Sequence, residues 1–543
     1  MQPMVEVSSG RLLGKREEQC FVFRGIPYAE APVGPRRLLA PRAPQPWTGV
    51  REALDFGLAA PQPHSELMAM TGWSAEAGVG EDCLSLNIWT PALDNGRRPV
   101  LVWIHGGAFT IGAGSQCAYD GTSLCSRGDV VVVTLNYRLG ALGFLALEAL
   151  RDREEGSLGN FGIRDQIKAL EWIREHIGEF GGDPARVTLF GESAGATGVG
   201  SLFAAPTAGP LFQQAIFQSG HVYNVSYEEA MLDAGERFMG ELELDPGDID
   251  RLMALPTKVL LEAQDRFVPK NPDGEWAMAF QPVVDGELLT EMPAEALANG
   301  RGAEKAMLAG TNRDEMKLYL IDDPKALSMS REDLMRRMDR VLASPVHENR
   351  DWSTPVIEAY ERDMPDAPVH ELWWAMETDR RMRVPLIRMA ERFGRHSEKT
   401  FLYLFDWPSP AFGGLIGSCH TLEIPFVFGT THQEWAPPLI GEDDAVVVLS
   451  DLMQDCWIRF AHTGNPSTPG FGDWPAYFPE DRTTAILGRD PRIEQAPLES
   501  RRAAWDDIPD ARDRWTRART TRSRKASSTR PSSSQRADAA GES

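Results

Sequence analysis

The segment Gly191-Glu192-Ser193-Ala194-Gly195 restricts the possible folds more than any other, because of what flanks it. Before it, Val187-Thr188-Leu189-Phe190 is a short apolar, β-branched run that reads as a buried strand; after it, Ala194 to Leu202 reads as a small-residue helix. The G-x-S-x-G pattern alone is weak, with roughly 0.2 matches per chain expected by chance. Strand, tight turn and helix together are far more specific. The glycines let neighbouring chain approach closely, and the turn pushes the serine hydroxyl outward. The helix N-terminus adds N–H groups and partial positive charge beneath any oxyanion formed at Ser193. A second segment, His105-Gly106-Gly107-Ala108-Phe109, follows another buried strand and reads as the partner oxyanion loop.

The surrounding pattern is that of an α/β sheet. Val100 to Ile104 and Val130 to Leu135 are continuous apolar runs of the kind found in parallel strands covered on both faces. Ile163, Ile167, Leu170, Ile173, Ile177 and Phe180 recur at three- and four-residue steps, a helical stripe ended by Gly181, Gly182 and Pro184. Strand, helix, strand and nucleophile turn is the order of a sheet whose site lies at the carboxyl ends of its strands. No repeat and no Gly/Ser linker divides the chain, so residues 1–510 are expected to form one catalytic domain. From Arg517 onward there is no Val, Ile, Leu, Met or aromatic residue, and seven basic residues face two acidic ones. Residues 511–543 therefore read as a basic, Ser/Arg-rich disordered tail.

The formal charge of −23 over 543 residues argues against a nucleic-acid partner and against adhesion to anionic lipid. No run of eighteen apolar residues and no secretory signal is evident, so a cytoplasmic protein is expected. The six cysteines show no C-x-x-C spacing and read as free thiols.

A nucleophilic serine needs a base, and the base needs an acid to fix its tautomer. Among ten histidines, His420 follows the strand-like Phe401 to Phe405 and lies in the loop Gly417-Ser418-Cys419-His420. Asp314 and Glu315 follow the apolar run Met307 to Gly310 and are the candidate acids. Ser, acid, His is the α/β-hydrolase order.

These residues also carry a family resemblance. FRGIPYAEAPVG from Phe23, EDCLSLNIW from Glu81, VWIHGGAF from Val102, NYRLGALGF from Asn136, FGGDPARVTLFGESAGA from Phe180 and FQSG from Phe217 occur in order. GTNRDE from Gly310, GSCHTLEIPFVFG from Gly417 and WIRFAHTGNP from Trp457 continue the series. The chain resembles the type-B carboxylesterase and cholinesterase family, bacterial carboxylesterases in particular, over nearly its whole length outside the tail. The resemblance implies an α/β-hydrolase fold: a large, mostly parallel central sheet flanked by helices, with a small N-terminal antiparallel sheet. It implies Ser193 as nucleophile, His420 as base, Glu315 rather than Asp314 as acid, and an oxyanion hole from the N–H groups of Gly106, Gly107 and Ala194. Secreted members pair the cysteine equivalent to Cys83 with one in the preceding loop, but Gly57 to Asp82 holds no cysteine. That crosslink cannot form here, and the loop from Leu67 to Gly80 is expected to be more mobile for lack of it.

Glu192 has two readings, a buried carboxylate that orders water or biases the histidine cation, and a turn residue held by structural hydrogen bonds. Phe109 and Trp73 are candidate substrate-pocket residues. Trp73 stands ten residues before Cys83, where cholinesterases place the aromatic that binds quaternary ammonium, but its flanks do not match; it lines the gorge or simply packs. His105 and Cys419 read as structural, and Trp47, Trp89 and Trp103 as core. The resemblance implies small, uncharged or weakly polar carboxylic esters as substrates, hydrolysed by water through an acyl-enzyme, and a serine activated by its neighbours calls for no metal or organic cofactor. The rate should rise as His420 loses its proton near pH 6–7. A lipase or a carbamate or amide hydrolase would use the same machinery, and a binding protein on this scaffold would have lost it.

Overall fold

The computed structural model describes residues 2–17, 19–63, 77–153, 157–267, 278–320, 323–343 and 350–510. Trp73, most of the loop from Leu67 to Gly80 and the tail 511–543 lie outside the described residues. The chain divides into two compact units.

The first unit comprises Met1–Asn271, Trp276–Pro324 and Trp374–Pro497. Its strands in chain order are β1 (Met4–Val7), β2 (Gly10–Leu13), β3 (Lys15–Glu17), β4 (Cys20–Pro27), β5 (Val50–Glu52), β6 (Ser85–Thr90), β7 (Arg98–Ile104), β8 (Val131–Leu135), β9 (Gly182–Glu192), β10 (Gln214–Gln218), β11 (Ser226–Tyr227), β12 (Val283–Val284), β13 (Ala306–Asn312), β14 (Thr400–Asp406), β15 (Thr483–Gly488) and β16 (Arg492–Gln495). Eleven of them, among the described residues, form one sheet in the order β16-β15-β14-β13-β10-β9-β7-β8-β6-β4-β3. From β8 to β15 neighbouring strands run parallel, while both edges are antiparallel. In the small N-terminal sheet β1 and β2 pair antiparallel, and β5 adds to β2 in parallel.

The apolar runs explain this order. Every residue of β7 and β8 is buried, as expected of strands covered on both faces. The helical stripe becomes α2 once α1 (Thr122–Gly128) has preceded it: α2 spans Phe161–His176, with Ile163, Ile167, Leu170 and Ile173 buried. A 3₁₀ turn, Ile177–Phe180, continues the stripe and ends at Gly181, whose φ of 77° is the left-handed conformation glycine tolerates. After β9 the chain turns straight into α3 (Ala194–Ala204). Gln218 at the end of β10 stands in register with Glu192 on one side and Gly310 on the other, so three strands deliver their ends to one level.

The second unit comprises Pro272–Glu275, Lys325–Trp373 and Leu498–Ser543. Its helices include α4 (Arg331–Leu342) and α5 (Ser353–Asp363). Ser330 and Asp333 form a reciprocal capping box at the start of α4. The buried Trp505 donates Nε1–H to Tyr360 Oη at 2.9 Å.

Candidate active site

Ser193 caps α3 with φ 56° and ψ −121°, a conformation a non-glycine residue adopts only when its surroundings force it. Its N–H donates to Gln218 O at 2.9 Å, and its own carbonyl accepts from Thr197 N–H at 3.1 Å. The turn closes so tightly that a Cβ on Gly191 would stand 2.7 Å from the Gly195 carbonyl carbon, and one on Gly195 would press on His105 O at 2.8 Å. A Cβ on Gly106 would lie 3.1 Å from Ser193 Cβ, so the glycine loop and the serine turn are in direct apposition. Gly107 has φ +104°, and a side chain there would run into the Ile111 backbone. Among the described residues, the N–H groups of Gly106, Gly107 and Ala194 make no hydrogen bond. Such free donors can serve an incoming oxyanion.

Glu315 follows the end of β13 and His420 lies in the loop after β14; both are buried, at 0% and 1% exposure. His420 Nδ1 lies 2.6 Å from Glu315 Oε2. The other carboxylate oxygen, Oε1, accepts Asn312 N–H at 2.8 Å, which fixes the acid. Asp314 is turned away: its Oδ2 accepts Ser418 N–H at 2.9 Å and its Oδ1 pairs with Lys317 at 3.3 Å.

The opposite edge of the imidazole meets Glu192. His420 Nε2 lies 3.0 Å from Glu192 Oε1, an ion-pair contact without hydrogen-bond alignment, and Nε2 makes no hydrogen bond to Ser193. Two buried carboxylates thus flank one histidine. Burial disfavours the imidazolium, but the charges of Glu192 and Glu315 outweigh it and hold the His420 pKa well above 6.5. The expectation of an ordinary histidine titrating near pH 6–7 is therefore corrected upward. Glu192 itself is raised by burial, with His420 opposing.

The sequence reading missed a third buried carboxylate. Glu423 Oε1 accepts Gln218 Nε2–H at 3.1 Å and its Oε2 accepts Asn312 Nδ2–H at 2.7 Å. Burial, reinforced by Glu192 and Glu315, pushes it up to about 7. Gln218 and Asn312 thereby join the loop holding Glu315 to the strand end that holds Ser193. Glu423 stands three residues after His420 in the motif GSCHTLEIPFVFG, which is the one sequence signal that points to it.

His105 has its pKa lowered to about 4 by burial; its Nδ1 contacts Gly106 O at 2.9 Å and its ring stacks on Tyr137 at 4.4 Å. Phe109 is fully buried against Phe144, ring centroids 4.8 Å apart. Burial pushes the Cys419 thiol up to about 12, so it stays protonated. Tyr319, which sequence reasoning did not single out, sets its ring 5.4 Å from that of His420.

The model of the carboxylesterase family matches residues 1–505. The chain is 37% identical over 499 residues to the para-nitrobenzyl esterase of Bacillus subtilis, covering 92% of this chain and 97% of that protein. It is 32% identical to the phenmedipham hydrolase of Pseudarthrobacter oxydans, covering 90% and 95%. The chain belongs to the carboxylesterase family.

The solved carboxylesterase of Geobacillus stearothermophilus at pH 6.2 superposes on the esterase with a TM-score of 0.82 and 38% identity, over 93% of this chain and all of that one. The esterase therefore has the α/β-hydrolase fold and is a serine hydrolase of carboxylic esters. Among its described residues, no helix is long and apolar enough to cross a membrane.

Proposed function

We propose that Ser193 Oγ attacks the ester carbonyl while His420 Nε2 takes its proton, with Glu315 fixing the Nδ1–H tautomer and stabilising the imidazolium. The N–H groups of Gly106, Gly107 and Ala194 hold the oxyanion. His420 then protonates the departing alcohol, leaving an acyl-enzyme on Ser193; water, deprotonated by the same histidine, releases the acid. Glu192 takes the first of its two readings: it lies where it steadies the histidine cation. The observation that carries the reading is the 2.6 Å contact between His420 Nδ1 and Glu315 Oε2, beside a strained Ser193 turn with its three unpaired donors. The Nε2 edge must swing from Glu192 to the serine for the first step, in keeping with catalytic hydrogen bonds that tighten only once substrate binds.

The reading extends to the whole chain: residues 1–510 as the catalytic part, 511–543 as an appended basic tail, small esters and water as reactants, and the cytoplasm as location. Dispersed cysteines without the framework of a small secreted domain support that location. The name of the para-nitrobenzyl esterase supplies the first substrates to try, p-nitrobenzyl esters of rising acyl length. Ser193→Ala should cut kcat on the order of 10⁴–10⁶-fold with folding intact. A variant that kept its turnover would remove Ser193 as nucleophile. A rate jump on substrate aggregation would shift the assignment to a lipase, and anilide turnover matching that of phenyl esters would shift it to an amidase.

A further inference from the structure

Cys20 and Cys125 stand apart from the catalytic machinery. Cys20 opens β4 and Cys125 lies on α1. Both are buried thiols, at 1% and 0% exposure, and their Sγ atoms are 2.6 Å apart. Non-bonded heavy atoms settle at about 3.5–4.0 Å, whereas a disulfide needs about 2.05 Å with the two Cβ carbons facing each other. The fold therefore sets the two sulfurs side by side, within crosslinking reach of each other. Cys20 Sγ also lies 3.7 Å from Thr122 O and 3.5 Å from Ser126 Oγ, so it points along one face of α1. Among the described residues, Cys83, Cys419 and Cys456 make no sulfur-to-sulfur contact.

We propose that Cys20 and Cys125 are an intrachain crosslinking site, which closes to a disulfide when the chain folds in the presence of a low-molecular-weight disulfide. One cysteine thiolate attacks the small disulfide, forming a mixed disulfide and expelling one small thiolate. The second cysteine thiolate then displaces the other. Two protein thiols are oxidised, the small disulfide is reduced to two thiols, and the two cysteine protons end on them. The adjoining Cys20 sulfur and burial both hold the Cys125 thiol protonated in the folded state. The exchange therefore runs while β4 and α1 are still undocking and docking, and burial afterwards shields the bond from reductant. The link would join positions 105 apart in sequence, a long loop and hence a strong restriction on the unfolded chain. It differs from the crosslink that secreted relatives build on the cysteine equivalent to Cys83, and it rests on none of the catalytic assignments.

The test is a disulfide map of the full wild-type chain, refolded with oxidised glutathione and alkylated under denaturing conditions. Digestion with trypsin and an Asp-N protease leaves Cys20 in residues 17–24 and Cys125 in residues 120–127, separate from Cys117. The expected result is these two peptides linked, with the other four of the six cysteines alkylated. Wild type refolded with oxidised glutathione should melt several degrees above wild type refolded with dithiothreitol, while Cys20→Ala and Cys125→Ala melt at the same temperature after either treatment. Six alkylated cysteines, or a link between any other pair, would overturn the proposal. The wild-type map decides the matter even if an alanine variant fails to fold.

Discussion

At the scale of single residues, the esterase places a histidine between two buried carboxylates rather than beside one. Glu315 contacts Nδ1 and Glu192 contacts Nε2, so the imidazolium is stabilised from both edges and the neutral base appears only at raised pH. The sign follows directly: a pKa above 6.5 means that kcat/KM climbs later than for an isolated histidine, and removing one anion moves the climb down. Glu192→Gln should shift the acid limb of the kcat/KM profile to lower pH by ~1–3 units, the usual reach of one opposite charge at contact distance. The check is a pH–rate profile of wild type and variant on one soluble ester. An unmoved limb would mean that Glu192 carries a proton at the working pH and lends His420 no charge. As candidates, Ser193, His420 and the pair Asp314 and Glu315 stand out in the sequence by their place after strand-like runs inside long motifs, and the choice of Glu315 over Asp314 comes from the family resemblance. Which edge of His420 meets Glu192, and the bridge of Glu423 to Asn312 and Gln218, are not legible there: they depend on three strand ends arriving at one level, and no local pattern encodes that register.

At the scale of elements, the strands around the serine were readable because a fully buried parallel strand must be apolar along its whole length, as in β7 and β8. The bounds shift only slightly: the run Val187 to Phe190 is the centre of β9, and the helix read from Ala194 to Leu202 extends to Ala204. What escaped is structure held by charge. Glu377 is buried and pairs with Arg380 Nε at 2.6 Å and Arg381 Nε at 2.7 Å, at the entrance to a π-helical turn, Asp379–Arg383. No motif or periodicity in the sequence marks these residues as buried. Burial raises the Glu377 pKa, but the two guanidinium groups overcome it and bring it down to about 2 from 4.5. A group depressed in this way stabilises the fold above pH 4.5 and loses that contribution as pH falls toward 2. Glu377→Gln should therefore cost about 3–5 kcal/mol at pH 7, the cost of breaking a buried pair from one side. The gap to wild type should narrow steadily below pH 4.5. Urea unfolding of both proteins at pH 7 and pH 3 measures it, and an equal gap at the two values would show that shape, not charge, makes Glu377 necessary.

At the scale of the whole molecule, composition separates what can build a core from what cannot. The family match ends at residue 505, close to the last helix, Glu499–Ala503. Beyond Arg517 the chain offers no Val, Ile, Leu, Met or aromatic side chain, so ordering it would cost backbone entropy with no apolar burial to offset it. What that segment does carry is charge: seven basic residues against two acidic ones, on a chain whose overall balance is −23. Any association of the tail with the remainder is then electrostatic and weakens with salt, since exposed charges are screened beyond about 8 Å at physiological ionic strength. Truncation after residue 510 should leave the melting temperature within about 1 °C and ester turnover unchanged at 0.15 M salt, as expected of an appended tail whose one large apolar side chain is Trp515. A small difference confined to low salt would be the signature of the charge attraction. Calorimetry and a p-nitrophenyl ester assay on the two proteins decide it: a drop in either quantity that persists at 0.5 M salt would place residues 511–543 inside the catalytic body, and the boundary at 510 would have to move.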